Sequence, residues 1–128
     1  MQDLSQAAIP NDPLIDYRKF KTFIIMGPAD YHELLADVIH EVPVELDRLR
    51  NAIQAGDILA RKTSAHSLRG ILGYFGCVAM TSRLVLLDND APTAPDQAST
   101  IHDELLTLWT NSLTAIHEWE KSVPEFSA

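Results

Sequence analysis

Leu34, Leu35, Val38, Val42, Leu46, Leu49 and Ile53 recur at intervals of three and four, a spacing that only a long α-helix with one buried stripe satisfies. Such a stripe must be covered, so the chain is constrained to pack further helices against it. Asp30 is placed to cap this helix at its start. Pro43 lies inside it, and because the apolar spacing continues in register on both sides, the proline should kink the helix rather than end it.

The flanking segments read as its partners. A polar, turn-prone arm over residues 1–12 leads into a first short helix expected from Pro13 to Met26, ended by Gly27-Pro28. "QAGD", Gln54 to Asp57, closes the long helix, with Gly56 suited to its C-terminus and Asp57 to the next N-cap. A third helix then runs to about Phe75 with Leu68, Ile71, Leu72 and Phe75 inward, and after Gly76 a fourth is expected to end near Asp88 to Asp90. Ala91 to Thr100 holds two prolines without periodicity and reads as a mobile loop. The last helix, about Ile101 to Lys121, carries Ile101, Leu105, Leu108, Ser112, Ile116 and Trp119 on one side. No stretch alternates at period two over strand length. The expectation is an all-α fold, an antiparallel four-helix bundle with a short additional N-terminal helix, over residues 13–123, with 124–128 as a C-terminal tail.

Ten Lys and Arg against eighteen Asp and Glu give a net charge of −8, which repels phosphate backbones and anionic lipid, so neither nucleic acid nor membrane is expected as a partner. The single cysteine, Cys77, excludes an internal disulfide and a cysteine-rich zinc site and fits a reducing compartment. The N-terminus lacks the features of a secretory signal, and "FIIM", Phe23 to Met26, is too short to span a bilayer, leaving the cytoplasm as the default location. His32 and His40 have no third clustered ligand, so no metal site is expected; His102 and His117 read as solvated or packing residues.

"AHSLRGILGYFG", Ala65 to Gly76, raises a separate question, because its apolar spacing is helical and yet it holds three glycines. An interior glycine costs roughly 0.5–1 kcal/mol relative to alanine. At 100° per residue, Lys62, His66, Arg69, Gly70 and Gly73 fall on the side opposite the core face. Bare backbone at Gly70 and Gly73 clears room for another protein to approach the imidazole. Lys62 and Arg69, a turn away on either side, can neutralise a phosphoryl group. A nucleophilic nitrogen with cationic neighbours suggests phosphoryl chemistry.

The stretch resembles the signature of histidine-containing phosphotransfer (HPt) domains: a small residue, His, a variable residue, an apolar residue, Lys or Arg, Gly, and a second Gly ten positions after the His. Ala65, His66, Leu68, Arg69, Gly70 and Gly76 match it, and the order of helices along the chain agrees. Arg69 stands where lysine is commoner, keeping the charge in a planar fork. Tyr74 stands where many members have something small, and could border a docking face or pack against the next helix. The resemblance implies a monomeric phosphoryl carrier, not an enzyme, with a covalent phosphohistidine at Nε2 of His66. Its implied partners are receiver domains of response regulators or hybrid histidine kinases. It implies no cofactor on this chain, Mg²⁺ belonging to the receiver. The alternatives are a degenerate HPt-like or structural adaptor bundle without phosphotransfer, and a histidine-kinase phosphoacceptor domain, against which stand Ser67 after the histidine and the lack of a nearby proline.

His66 lies ten residues before Gly76 and Asp88 twelve after it, so in an antiparallel pair rising about 1.5 Å per residue they reach similar height. The family often places glutamine or a carboxylate at this offset from the histidine. Asp88 is therefore expected to accept a hydrogen bond from Nδ1–H and orient the imidazole.

Overall fold

The computed structural model describes residues 14–127. Leu14 to Asp16 are not helical; a 3-10 turn, Tyr17–Phe20, opens on an Asp16 side chain that accepts from Arg18 N, and α1 (Lys21–Met26) continues from it. The first helix thus begins later than Pro13, which lies, like the arm at residues 1–12, outside the described residues. α2 spans Pro28–Ala55 without a break at Pro43. Its start corrects the sequence expectation: Gly27, not Asp30, is the N-cap, because Pro28 with its fixed φ takes the first helical position and leaves Asp30 in the first turn.

α3 (Ile58–Tyr74) starts on Asp57, whose side chain accepts from Ala60 N at 3.0 Å. It ends in a Schellman closure: Gly76 sits at φ +68° and donates to Gly73 O, while Cys77 N donates to Leu72 O at 2.9 Å. α4 (Val78–Val85) is shorter than expected, and α5 (Pro95–Lys121) starts earlier, with Pro95 in its first turn and Asp96 at the positive end of its dipole. The loop therefore covers 86–94 rather than 91–100. Pro124–Ser127, read from sequence as tail, forms a last turn of helix, α6.

No strand occurs among the described residues, and α2 to α5 form an antiparallel four-helix bundle, α2 packing on α3 and α5, and α4 on α3 and α5. Val42, Leu49, Leu68, Leu72, Met80, Leu84, Leu105 and Ile116 are fully buried along its axis. Leu34, Ile71, Leu108 and Trp119, all expected in the core stripes, sit at its margin, partly buried. An aromatic cap closes one end, in which Phe126 stacks on Tyr31 with centroids 4.7 Å apart and the Tyr31 hydroxyl donates to Glu120 at 2.6 Å. His102 is buried, its Nε2 2.8 Å from Leu46 O, and so joins α5 to α2. Burial pushes the Cys77 thiol up to about 12, leaving it inert at neutral pH.

Candidate functional site

α3 works as a two-sided element. Its inward side is anchored by Ala65, Leu68 and Leu72, and its outward side presents His66 with the side chain 78 % exposed. The loop after α4 crosses beside it and lays Asp88 against the ring, with His66 Nδ1 3.1 Å from Asp88 Oδ2. Arg69 Nη1 donates to the same oxygen at 2.6 Å. Unlike His66, the Asp88 side chain is only 7 % exposed.

Burial opposes the charge on Asp88, but the hydrogen bonds from Arg69 and His66, together with their positive charge, outweigh it and hold the carboxyl below its usual range. An ionised carboxylate only accepts, so Nδ1 must carry the proton and donate. In the neutral ring that tautomer leaves the lone pair on Nε2, the outer nitrogen.

The sign of a stability effect follows. A depressed carboxyl contributes stability that is fully present above the unfolded-state value of about 3.9 and is lost as pH falls through the lower folded value. The stability gap between wild type and Asp88→Asn, read from urea midpoints, should therefore shrink below about pH 4. A gap independent of pH would show that the Asp88 charge contributes nothing.

The sequence-derived candidates fall as follows. His66 and Asp88 meet. Lys62, Arg69, Gly70 and Gly73 share the His66 side of α3, yet both cations are engaged with acids of the loop: Arg69 with Asp88, and Lys62 Nζ with Asp90 at 2.9 Å. The Lys62–Asp90 pair is exposed, and such pairs hold weakly. A Cβ built at Gly70 or at Gly73 would meet nothing within 4 Å, so nothing among the described residues requires glycine there. Tyr74 is half exposed and packs its ring on Phe23 of α1, centroids 5.8 Å apart.

Three residues of the site were not singled out from sequence. Leu59, two turns before His66 on the same helical side, is 73 % exposed and supplies an apolar rim. Asp90 is the partner of Lys62. Arg61 is buried, and its guanidinium donates to Leu87 O, Asn89 O, Ala91 O and Thr93 Oγ1 at 2.6 to 3.3 Å. Its signal was available: position 61 falls in the 61, 65, 68, 72 spacing of the core stripe, where a charged residue is anomalous.

Among the described residues no group of three or more His, Cys, Asp or Glu could hold a metal ion, and no helix is long and apolar enough to cross a membrane. No curated protein and no solved structure matches the chain. The family model for the Hpt domain does, over residues 33–119, which takes in nearly all of α2 and runs through α3 and α4 into the last turns of α5. A match over well over half of the sequence, covering the four helices of the bundle, means that the chain belongs to the Hpt domain family.

Proposed function

We propose that this protein carries a phosphoryl group between aspartates of receiver domains in a multistep phosphorelay, through a phosphohistidine at His66. Family membership gives the coarser statement, a phosphotransfer-related role in two-component systems as a carrier rather than a catalyst. The observation that carries the finer one is an exposed imidazole whose inner nitrogen is bound to an ionised, almost fully covered carboxylate.

In the forward step the Nε2 lone pair attacks phosphorus of the receiver's acyl phosphate. An N–P bond forms, the P–O bond to the receiver aspartate breaks, and that carboxylate leaves with the electron pair. The Nδ1 proton stays where it is, and Asp88 faces the positive charge that develops on the ring. Reversal onto a second receiver completes the relay. Lys62 can exchange Asp90 for a phosphoryl oxygen because their pair is exposed, and the Arg69 side chain, partly exposed on the same side of α3, has further donors beyond the one bound to Asp88. The Mg²⁺ that assists transfer belongs to the receiver. The acidic chain acts as a cytoplasmic monomer with receivers of response regulators or hybrid histidine kinases as its partners, not nucleic acid or membrane.

Incubation with a phosphorylated receiver domain is expected to place acid-labile, base-stable phosphate on the protein. A chain that stays unlabelled with every receiver tested would be an adaptor bundle. Access is tested separately. Gly70→Leu should stabilise the helix by roughly 0.5–1 kcal/mol in propensity, its Cβ meeting nothing within 4 Å, and still slow transfer at least about tenfold, by occupying the space a receiver needs. A stabilised variant that accepts phosphate at the wild-type rate would show that the bare backbone is not there for a partner.

A further inference from the structure

Asp88 lies three residues past α4, its N–H still bonded to Leu84 O at 3.0 Å and Leu87 before it buried, but from Asp88 to Ala94 the chain has no regular structure, and ordering it costs conformational entropy that contacts must offset. The bonds of Arg61 supply four such contacts. Its Nε donates to Leu87 O at 3.1 Å and its Nη2 to Asn89 O at 2.6 Å, so the guanidinium grips the carbonyls of the residues immediately before and after Asp88. The same fork continues to Ala91 O at 3.0 Å and Thr93 Oγ1 at 3.3 Å. These carbonyls lie just beyond the C-terminus of α4, where backbone acceptors have no helical partners and the dipole favours a cation. Arg61 and His66 sit five residues apart on one helix, the first turned inward and the second outward. The Asp88 backbone is thus fixed from beneath and its carboxylate meets the ring from the side.

We infer that Arg61 is a positioning residue for the phosphoacceptor: by clamping the backbone on both sides of Asp88 it holds the carboxylate against Nδ1 and thereby keeps Nε2 unprotonated. It touches neither the imidazole nor an incoming phosphoryl group. The inference rests on the proposed phosphotransfer at His66 for its functional meaning, but its structural content concerns the tautomer and can be read without any phosphoryl donor.

The experiment is ¹⁵N spectroscopy of the His66 ring at alkaline pH, where the bare nitrogen resonates far downfield of the protonated one, on wild type, Asp88→Ala, Arg61→Met and Arg61→Lys. Wild type should show Nδ1 protonated and Nε2 bare. Asp88→Ala sets the endpoint, the averaged shifts of an exposed histidine. Arg61→Met should move most of the way to that endpoint at temperatures well below its melting point, and Arg61→Lys, which keeps the charge but loses the fork, should fall between. Phosphoryl acceptance should slow in the same order, on the order of tenfold for Arg61→Met. A merely structural Arg61 would lower the melting temperature and leave the tautomer alone. Folded Arg61→Met with the wild-type tautomer overturns the inference; where Arg61→Met does not fold, the wild-type tautomer in Arg61→Lys overturns it. Failure of wild type to accept phosphate would instead strike the relay reading and leave the tautomer result standing.

Discussion

His66→Gln is expected to eliminate phosphohistidine entirely while leaving the stability of the bundle within about 0.5 kcal/mol of wild type. The side chain is 78 % exposed and gives the fold one contact, the bond from Nδ1 to Asp88, whose oxygen is still held by Arg69. Glutamine supplies an amide of similar reach and no nucleophilic nitrogen. Labelling by a phosphorylated receiver, followed by gel or mass detection of acid-labile phosphate, and a urea titration of the same preparation measure both halves. Label persisting in the variant at His32, His40 or His117 would remove His66 from the centre of the proposal.

The second large effect concerns Gly76 and falls on stability alone. Gly76→Ala should cost about 2–4 kcal/mol, from the sum of two sources. The backbone there is left-handed at φ +68°, which any Cβ resists, and a Cβ would stand 2.6 Å from Asp16 O. The obstructing atom belongs to backbone that is itself held, since Asp16 N donates to Gly76 O at 2.7 Å. Relief would therefore require the segment before α1 to lift off the corner between α3 and α4. Gly70→Ala under the same conditions should gain roughly 0.5–1 kcal/mol. A loss under about 1 kcal/mol at Gly76 would mean that the Asp16 segment yields freely.

What was legible in the sequence follows from the range over which each signal acts. The α2 stripe and the Gly56–Asp57 joint are local, written in apolar spacing and in the preferences of one cap and one turn, and they stand where the residues place them. Asp88 could be brought beside His66 by counting, because helix rise is constant on both sides of a sharp corner. The C-terminus of α4 was not legible. "VLLDND" continues helically by pattern, but the carbonyls of Leu87 and Asn89 turn instead to Arg61, twenty-six and twenty-eight residues away in sequence. The partners of Lys62 and Arg69 were hidden for the same reason: two acids two residues apart on a loop offer alternatives that only the folded loop resolves. The start of α5 was missed because the prolines of the preceding loop read as breakers, whereas Pro95 stands at the one helical position that favours it.

The empty space over Gly70 and Gly73 separates two properties that are usually entangled in a small bundle. Where a side chain meets only solvent in the free protein, heat and denaturant register little of it beyond its helix propensity, and the bound partner registers nearly all of it. On the proposed reading, a thermal-shift screen of α3 variants would promote Gly70→Ala and Gly73→Ala as improvements, while a signalling screen of the same library would discard them. On that same reading, selection acting on this face can tune which receivers dock without drawing on the packing that keeps the helices together, and a version of the protein stabilised by melting temperature alone would lose its relay.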